Sequence, residues 1–173
     1  MARIVIADAG PLIALAGIGH LALLRRLFGR VSVASTVADE VLQGGSFPDG
    51  PALAQAFAEG WLQRFHLDSP DHHAQAQSLM NLHQIDVGEA MAMVLALQAH
   101  AAGDQALLVM DDMRGRNAVQ HARLGLVGTA GLLLLAKRQG HIAAVEPLLL
   151  GMRRNGYFLS QRLIDSALQQ AGE

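Results

Sequence analysis

Cysteine is absent from all 173 positions of the chain, which excludes disulfides, thiolate metal sites and cysteine nucleophiles. An excess of one charge is missing too: 15 acids stand against 13 bases, for a net charge of −2. No chain-wide field therefore points to nucleic acid, and any such binding needs a local basic patch. Lysine occurs once, so 12 of the 13 bases are arginines, several of them paired, as in Arg25/Arg26, Arg114/Arg116 and Arg153/Arg154. Guanidinium groups suit planar phosphate recognition, although paired arginines equally fit solvated helix faces. No Pro/Ser-rich linker, charge block or internal repeat divides the sequence, and 51% hydrophobic residues supply one sizeable core. The apolar run GLVGTAGLLLLA, Gly125 to Ala136, is too short to span a bilayer. The apolar N-terminus is interrupted by Asp8, with one positive residue and no convincing cleavage site, so it does not read as a signal peptide. The expectation is a soluble, cytoplasmic protein with no membrane partner.

What is present is an alternation of short apolar strands with helical periodicity. RIVIADAG reads as a buried strand from Ile4 to Ala7, stopped by Asp8 and a Gly-Pro turn. PLIALAGIGHLALLRRLFG follows at helical spacing, with a break expected near Gly17–Gly19. RVSVAS is a second strand, and STVADEVLQGG a helix capped by Ser35 or Thr36 and stopped by Gly44/Gly45. After the loop SFPDGP come a short helix to Gly60, the alternating strand WLQRFHL and a polar helix from Asp71 to His83. The clearest helix runs from Asp86 to about Ala102, QALLVM is a strand ending at Asp111, and RNAVQHARLG is a short helix. LVGTAG enters as a strand, AGLLLLAKRQG is a helix ended by Gly140, and two closing helices span about 144–171. Such alternation indicates an α/β fold with a central parallel sheet flanked by helices on both faces.

Ligands of open α/β sheets sit beyond the carboxyl ends of the strands, which is where Asp8 and Asp111 fall. Glu40 lies about one turn into the helix after the second strand, and Glu89 opens the long helix before the Asp111 strand. If the first and fourth strands are neighbours, these four acids converge on one cleft. Hard oxygen donors without thiolates favour Mg²⁺ or Mn²⁺ over zinc. Clustered carboxylates repel one another unless a cation neutralises them. Each acid alone also has an ordinary structural reading. Asp8 fits the start of a Gly-Pro turn and Glu40 an exposed helix position. Asp86 and Glu89 fit a capping pair, and Asp112 fits a cap for a helix beginning near Gly115.

IVIADAGPLIAL, STVADEV, VGEAMAMVLA, LLVMDDMRGRNAVQHARLGL and VGTAGLLLLAKRQGHI occur in an order that resembles the PIN-domain ribonucleases. The likeness is to the toxin-like group related to type II toxin–antitoxin toxins. It covers nearly the whole chain, and the block from Asp111 to Gly140 is its most specific part. It implies a single PIN-like domain over 1–173, with the last two helices as a C-terminal extension. The family's four acids fall on Asp8, Glu40, Glu89 and Asp111. The third acid, often Asp in toxins, is Glu89 here, and Asp112 matches a doubled Asp that one subgroup carries. The resemblance implies hydrolysis of RNA phosphodiester bonds with Mg²⁺ or Mn²⁺, leaving a 5′-phosphate and a 3′-hydroxyl. Asp8, Glu89 and Asp111 would be metal ligands, Asp112 an outer one, and Glu40 would complete the shell or position water. Arg114, Arg116 and Thr129 are the candidate substrate contacts, the two arginines having nearby acids as alternative partners. A homodimer and a small antitoxin partner are further implications.

Two other readings remain beside it. A PIN-like module that binds nucleic acid or protein without turnover would carry the same motifs. A haloacid-dehalogenase-type phosphatase is disfavoured, because Asp8-Ala9-Gly10 lacks the Asp-x-Asp nucleophile pattern. Asp71-His72-His73 looks metal-like, but adjacent histidines point to different sides of a helix, which favours solvated surface. The glycines of VGTAGLLLLAKRQG lack P-loop spacing, so Gly128 and Gly131 are read as close-packing positions.

Overall fold

The computed structural model describes residues 1–43 and 50–173. The helix stop at Gly44/Gly45 and most of the SFPDGP loop lie outside these residues. Strand β1 (Arg3–Ala7) buries Val5, Ile6 and Ala7 in succession, as a strand covered on both faces does. Helix α1 (Ala9–Gly17) starts directly after Asp8, so Gly10–Pro11 is not a turn but part of the first helical turn. Proline sacrifices nothing there, because the first N–H groups of a helix have no intrahelical acceptor. The apolar run then bends by 116° into α2 (Ala22–Phe28), with Gly19 in left-handed backbone at φ 69° in the expected break.

Strand β2 (Val31–Ala34) is buried throughout and passes without a loop into α3 (Ser35–Gln43). That continuity corrects the expected cap. Ser35 is already helical, and the Thr36 Oγ1 is buried with no hydrogen-bond partner. Next come α4 (Gly50–Ala58), β3 (Leu62–Phe65) and α5 (Pro70–His83), the last opened by Ser69, whose Oγ accepts from the His72 N–H at 3.2 Å. Helix α6 (Val87–Ala101) buries every residue from Gly88 to Ala96, which makes it an interior helix rather than an amphipathic surface one. The chain closes with β4 (Gln105–Val109), α7 (Met113–His121), β5 (Gly125–Val127), α8 (Thr129–Arg138), α9 (Glu146–Arg154) and α10 (Gln161–Ala171).

The sheet order is β3-β2-β1-β4-β5, and every pairing is parallel. Winding runs outward from β1 to β3, then crosses back to β4 and continues to β5 in the opposite direction. Right-handed crossovers on opposite windings place helices on both faces of the sheet. They also leave a crevice at the carboxyl ends of β1 and β4, where the order reverses. β1 and β4 pair along their full length, from Arg3 opposite Gln105 to Ala7 opposite Val109. Asp8 and Asp111 are thus carried to the same edge.

One carboxylate adds to the buried Leu149, Met152, Ile164 and Ala167 in tying down the closing helices. Glu173 accepts from Lys137 Nζ and from the Val145 N–H, each at 2.7 Å, and from the Glu146 N–H at 2.9 Å. The Lys137 ammonium and these two amides hold its carboxyl down at about 2. Among the described residues, no single helix is long and apolar enough to cross a membrane.

Candidate functional site

Asp8 extends the β1–β4 ladder by one residue, its N–H donating to the Val109 carbonyl at 3.0 Å. It stands at the N-cap position of α1 without making a side-chain capping bond, and it lines a cavity at the sheet edge. Burial pushes its carboxyl up to about 7, against the support of the Ala9 amide, and the charges of Glu89, Asp86 and Glu40 add to the rise.

Glu89 makes the capping pair that its spacing from Asp86 allows. Its Oε2 accepts from the Asp86 N–H at 2.9 Å while Asp86 Oδ1 accepts from the Glu89 N–H at 2.8 Å, a complete capping box. The residue is only 5% exposed, and burial, reinforced by the charges of Asp86 and Asp112, raises its carboxyl to about 7 against the Asp86 amide. Gly115 on α7 leaves the space this carboxylate occupies, since a Cβ there would stand 2.7 Å from Glu89 Oε1. Glu40, exposed on α3, is raised by partial burial and by Asp86. Glu40 and Asp86 meet over Gly88, where an added Cβ would lie 3.4 Å from Glu40 Oε2 and 3.3 Å from Asp86 Oδ1.

Asp111 faces a different set of groups. Its Oδ1 accepts from the Thr129 N–H at 2.8 Å, and its Oδ2 accepts from the Thr129 hydroxyl and from Tyr157 OH, the latter at 2.6 Å. Two glycines make room for this arrangement. A Cβ on Gly128 would come within 2.9 Å of Asp111 Oδ1, and one on Gly10 within 3.0 Å of Tyr157 OH. Burial and the Asp111 charge raise the Tyr157 hydroxyl well above the usual phenol range, so it serves as a proton-bearing donor. Tyr157, the single tyrosine of the chain, arrives from the α9–α10 connection, and nothing in NGYFLS marks it for this role.

Thr129 is 0% exposed and spends both donors on Asp111, so in this structure it supports an acid instead of facing the cleft. Asp112 caps α7, which begins at Met113 and not near Gly115; its Oδ1 accepts from the N–H groups of Arg114 and Gly115 at 2.8 and 3.2 Å. The arginines bond carbonyl oxygens, Arg114 that of Gln84 at 3.3 Å and Arg116 that of Met110 at 3.0 Å. Arg116 lines the cavity together with Asp8, Asp111 and Asp112, whereas Arg114 points toward the start of α6.

Asp8, Glu40, Asp86, Glu89 and Asp112 therefore form a file of mutually raised or raising carboxylates. In the sequence Asp86 reads only as a cap. Its second role follows from where α6 starts, which the spacing of capping residues does not reveal. The ion pairs among the described residues are Arg25–Glu59, Arg64–Asp39, His66–Asp68 and Lys137–Glu173, and none neutralises this file. Nor do three acids or histidines among the described residues close on one point as a finished cation cage. The file holds hard oxygen donors and uncompensated negative charge, which suits a divalent cation of the Mg²⁺ type.

Stability should report that charge. Asp8 and Glu89 release protons near 3.8 and 4.5 in the unfolded chain but hold them to about 7 when folded. The folded state thus binds more protons between these limits, and stability is lost as pH rises through that window, levelling off above about 7. The thermal midpoint of the metal-free protein should fall from pH 5 to pH 8, with Mn²⁺ raising it more at pH 8 than at pH 5. A midpoint indifferent to both changes would contradict the raised carboxyls.

The model of the family DUF3368, described as a PIN domain, matches residues 4–173. No curated protein matches the chain.

Proposed function

Because the chain belongs to the PIN-domain family, a family of nuclease type, we propose that it is a divalent-metal-dependent endoribonuclease. The observation that carries this reading is the unneutralised file of carboxylates at the point where the sheet order reverses between β1 and β4. Asp8, Glu89 and Asp111 are the residues that would hold Mg²⁺ or Mn²⁺, with Asp112 as an outer contributor and Glu40 and Asp86 deepening the negative field. The bound cation would supply charge neutralisation at the phosphate and activation of water. Arg116 offers a guanidinium at the cavity wall for a phosphate oxygen. Tyr157 and Thr129 fix the orientation of Asp111, so that its position does not have to be organised during the reaction.

The finer assignment, a toxin or toxin-like relative of a type II toxin–antitoxin system, rests on the resemblance carried by the ordered motifs, of which the Asp111–Gly140 block is the most specific. It brings with it a small antitoxin partner and a homodimer. One observation favours the alternative of a non-catalytic binding module: both Asp111 oxygens are already engaged by protein donors.

Incubating the protein with structured RNA and Mn²⁺ or Mg²⁺ separates the two. Cleavage to 5′-phosphate products is expected, lost with EDTA and in Asp111→Asn. Undiminished cleavage by that variant rules out this site, and RNA binding without cleavage by the parent selects the binding module.

A further inference from the structure

The cavity beside Asp8 has a volume of about 970 Å³, and its outer wall is built by the connection between α9 and α10. Within that connection Tyr157 is anchored on Asp111 and Leu159 is buried at 6% exposure, yet Phe158 between them is 88% exposed. The phenyl ring is thus held outward by fixed neighbours on both sides. Of the seven large hydrophobic residues exposed among the described residues, Phe158, Met113 and Leu163 all line this one cavity. Two cations share it. Arg162 is exposed with no acid partner among the described residues, and Arg116 uses Nη1 on the Met110 carbonyl, leaving its other guanidinium nitrogens for a ligand.

We propose that Phe158 is a stacking platform for one unpaired nucleobase, with Arg116 and Arg162 taking the neighbouring phosphates. The inference rests on the nuclease reading and names the part of the substrate it would grip. An aromatic face beside guanidinium groups suits a nucleic-acid strand, because every base offers a π-face and every linkage an anion. In a duplex those faces are covered by stacking, so the platform selects single-stranded segments. A peptide partner would also find the apolar rim. The two arginines on the wall of the same cavity, which Asp8 and Asp112 of the file also line, favour the polyanion on which that file would act.

Fluorescence anisotropy with a labelled ten-nucleotide single-stranded RNA, measured in the Asp8→Asn background, reads the platform directly. Phe158→Ala should weaken binding about tenfold, as loss of one stacked base does, and Phe158→Trp should restore it. Arg162→Gln should flatten the salt dependence by about 0.7 in log–log slope. The matching duplex should bind weakly, with no response to Phe158→Ala. Single-strand affinity unchanged by Phe158→Ala overturns the proposal and leaves the rim to a protein partner. If the parent cleaves RNA and Asp111→Asn does not, that result removes the platform while the nuclease stands. Phe158-dependent binding without cleavage by the parent removes the nuclease and keeps the platform.

Discussion

Asp8→Asn should abolish RNA cleavage, by at least about a hundredfold, and at the same time raise the thermal midpoint of the metal-free protein at pH 8. Two opposite effects from one substitution follow from the position of the side chain. Its carboxyl is raised from 3.8 to about 7 because burial and the charges of Glu89, Asp86 and Glu40 all disfavour the anion. At pH 8 the folded chain must nevertheless carry that anion, and every tenfold gain in proton affinity on folding corresponds to about 1.4 kcal/mol. A neutral amide of nearly the same shape relieves the penalty. Allowing for imperfect hydrogen bonding of the amide, the gain is on the order of 1–3 kcal/mol. At about 2–4 °C per kcal/mol for a chain of this size, that is several degrees. The gain should fade toward pH 5, where the native carboxyl is itself neutral. The catalytic loss is scaled from below: removing even an outer partner of a metal ligand costs about 10–100-fold, and Asp8 would be a direct ligand. Melting curves at pH 5 and pH 8, with and without Mn²⁺, measure the stability half, and cleavage rates of variant and parent measure the other. Should the variant melt lower than the parent at pH 8, with no dependence on pH, Asp8 is an ordinary structural acid of the β1–α1 junction.

A stable fold tolerates this much unpaired charge because of where the charge stands. The file of acids sits where β1 and β4 end, and the ladder from Arg3 opposite Gln105 to Ala7 opposite Val109 does not depend on it. The hydrophobic core lies beneath, with Ile6, Leu12, Leu108 and Met110 among its fully buried side chains. Burial first, and then repulsion between neighbouring acids, raises these carboxyls at the edge, the pattern that makes it the candidate functional site.

How much of this could be read from the sequence depended on the range of the interaction. The strands were legible because their signal is local: an apolar run followed by a charge, as in IVIAD and LLVMD. The meeting of Asp8 and Glu89 was legible once those strands were taken as neighbours, since both acids stand at element ends with fixed directions. The turn expected at Gly10–Pro11 was not found, because a proline inside a first helical turn and a proline in a loop look alike in sequence. The surroundings of Asp111 were less legible still. Its partners arrive from 18 and 46 positions away, and no periodicity links Tyr157 to a strand end. Glu89 and Asp86 are subtler: a capping box and a member of an acidic cluster share one spacing, so neither reading excludes the other.

Gly115→Ala should destabilise the protein by about 1–2 kcal/mol and lower cleavage at least about tenfold, although helix propensity alone argues the reverse. In an exposed helix, alanine is favoured over glycine by about 1 kcal/mol. Here Gly115 is buried in the first turn of α7, and the added methyl would stand 2.7 Å from Glu89 Oε1 and closer still to Met110 Sδ. Neither neighbour yields freely. Met110 is 0% exposed, and the Glu89 carboxylate is held through its other oxygen by the Asp86 N–H at 2.9 Å. Overpacking of this kind costs about 1–3 kcal/mol, enough to outweigh the propensity gain. Relief through Glu89 would shift an acid of the proposed metal site, and displacements of about 1 Å at a reacting centre cost on the order of a hundredfold. A double-mutant cycle with Glu89→Ala isolates the contact. The penalty for Gly115→Ala should shrink in that background, without vanishing, because Met110 Sδ stays in the way. A Gly115→Ala protein that melts above the parent and cleaves at the parent's rate would show that the pocket gives way at no cost, and that Glu89 does not need its present position.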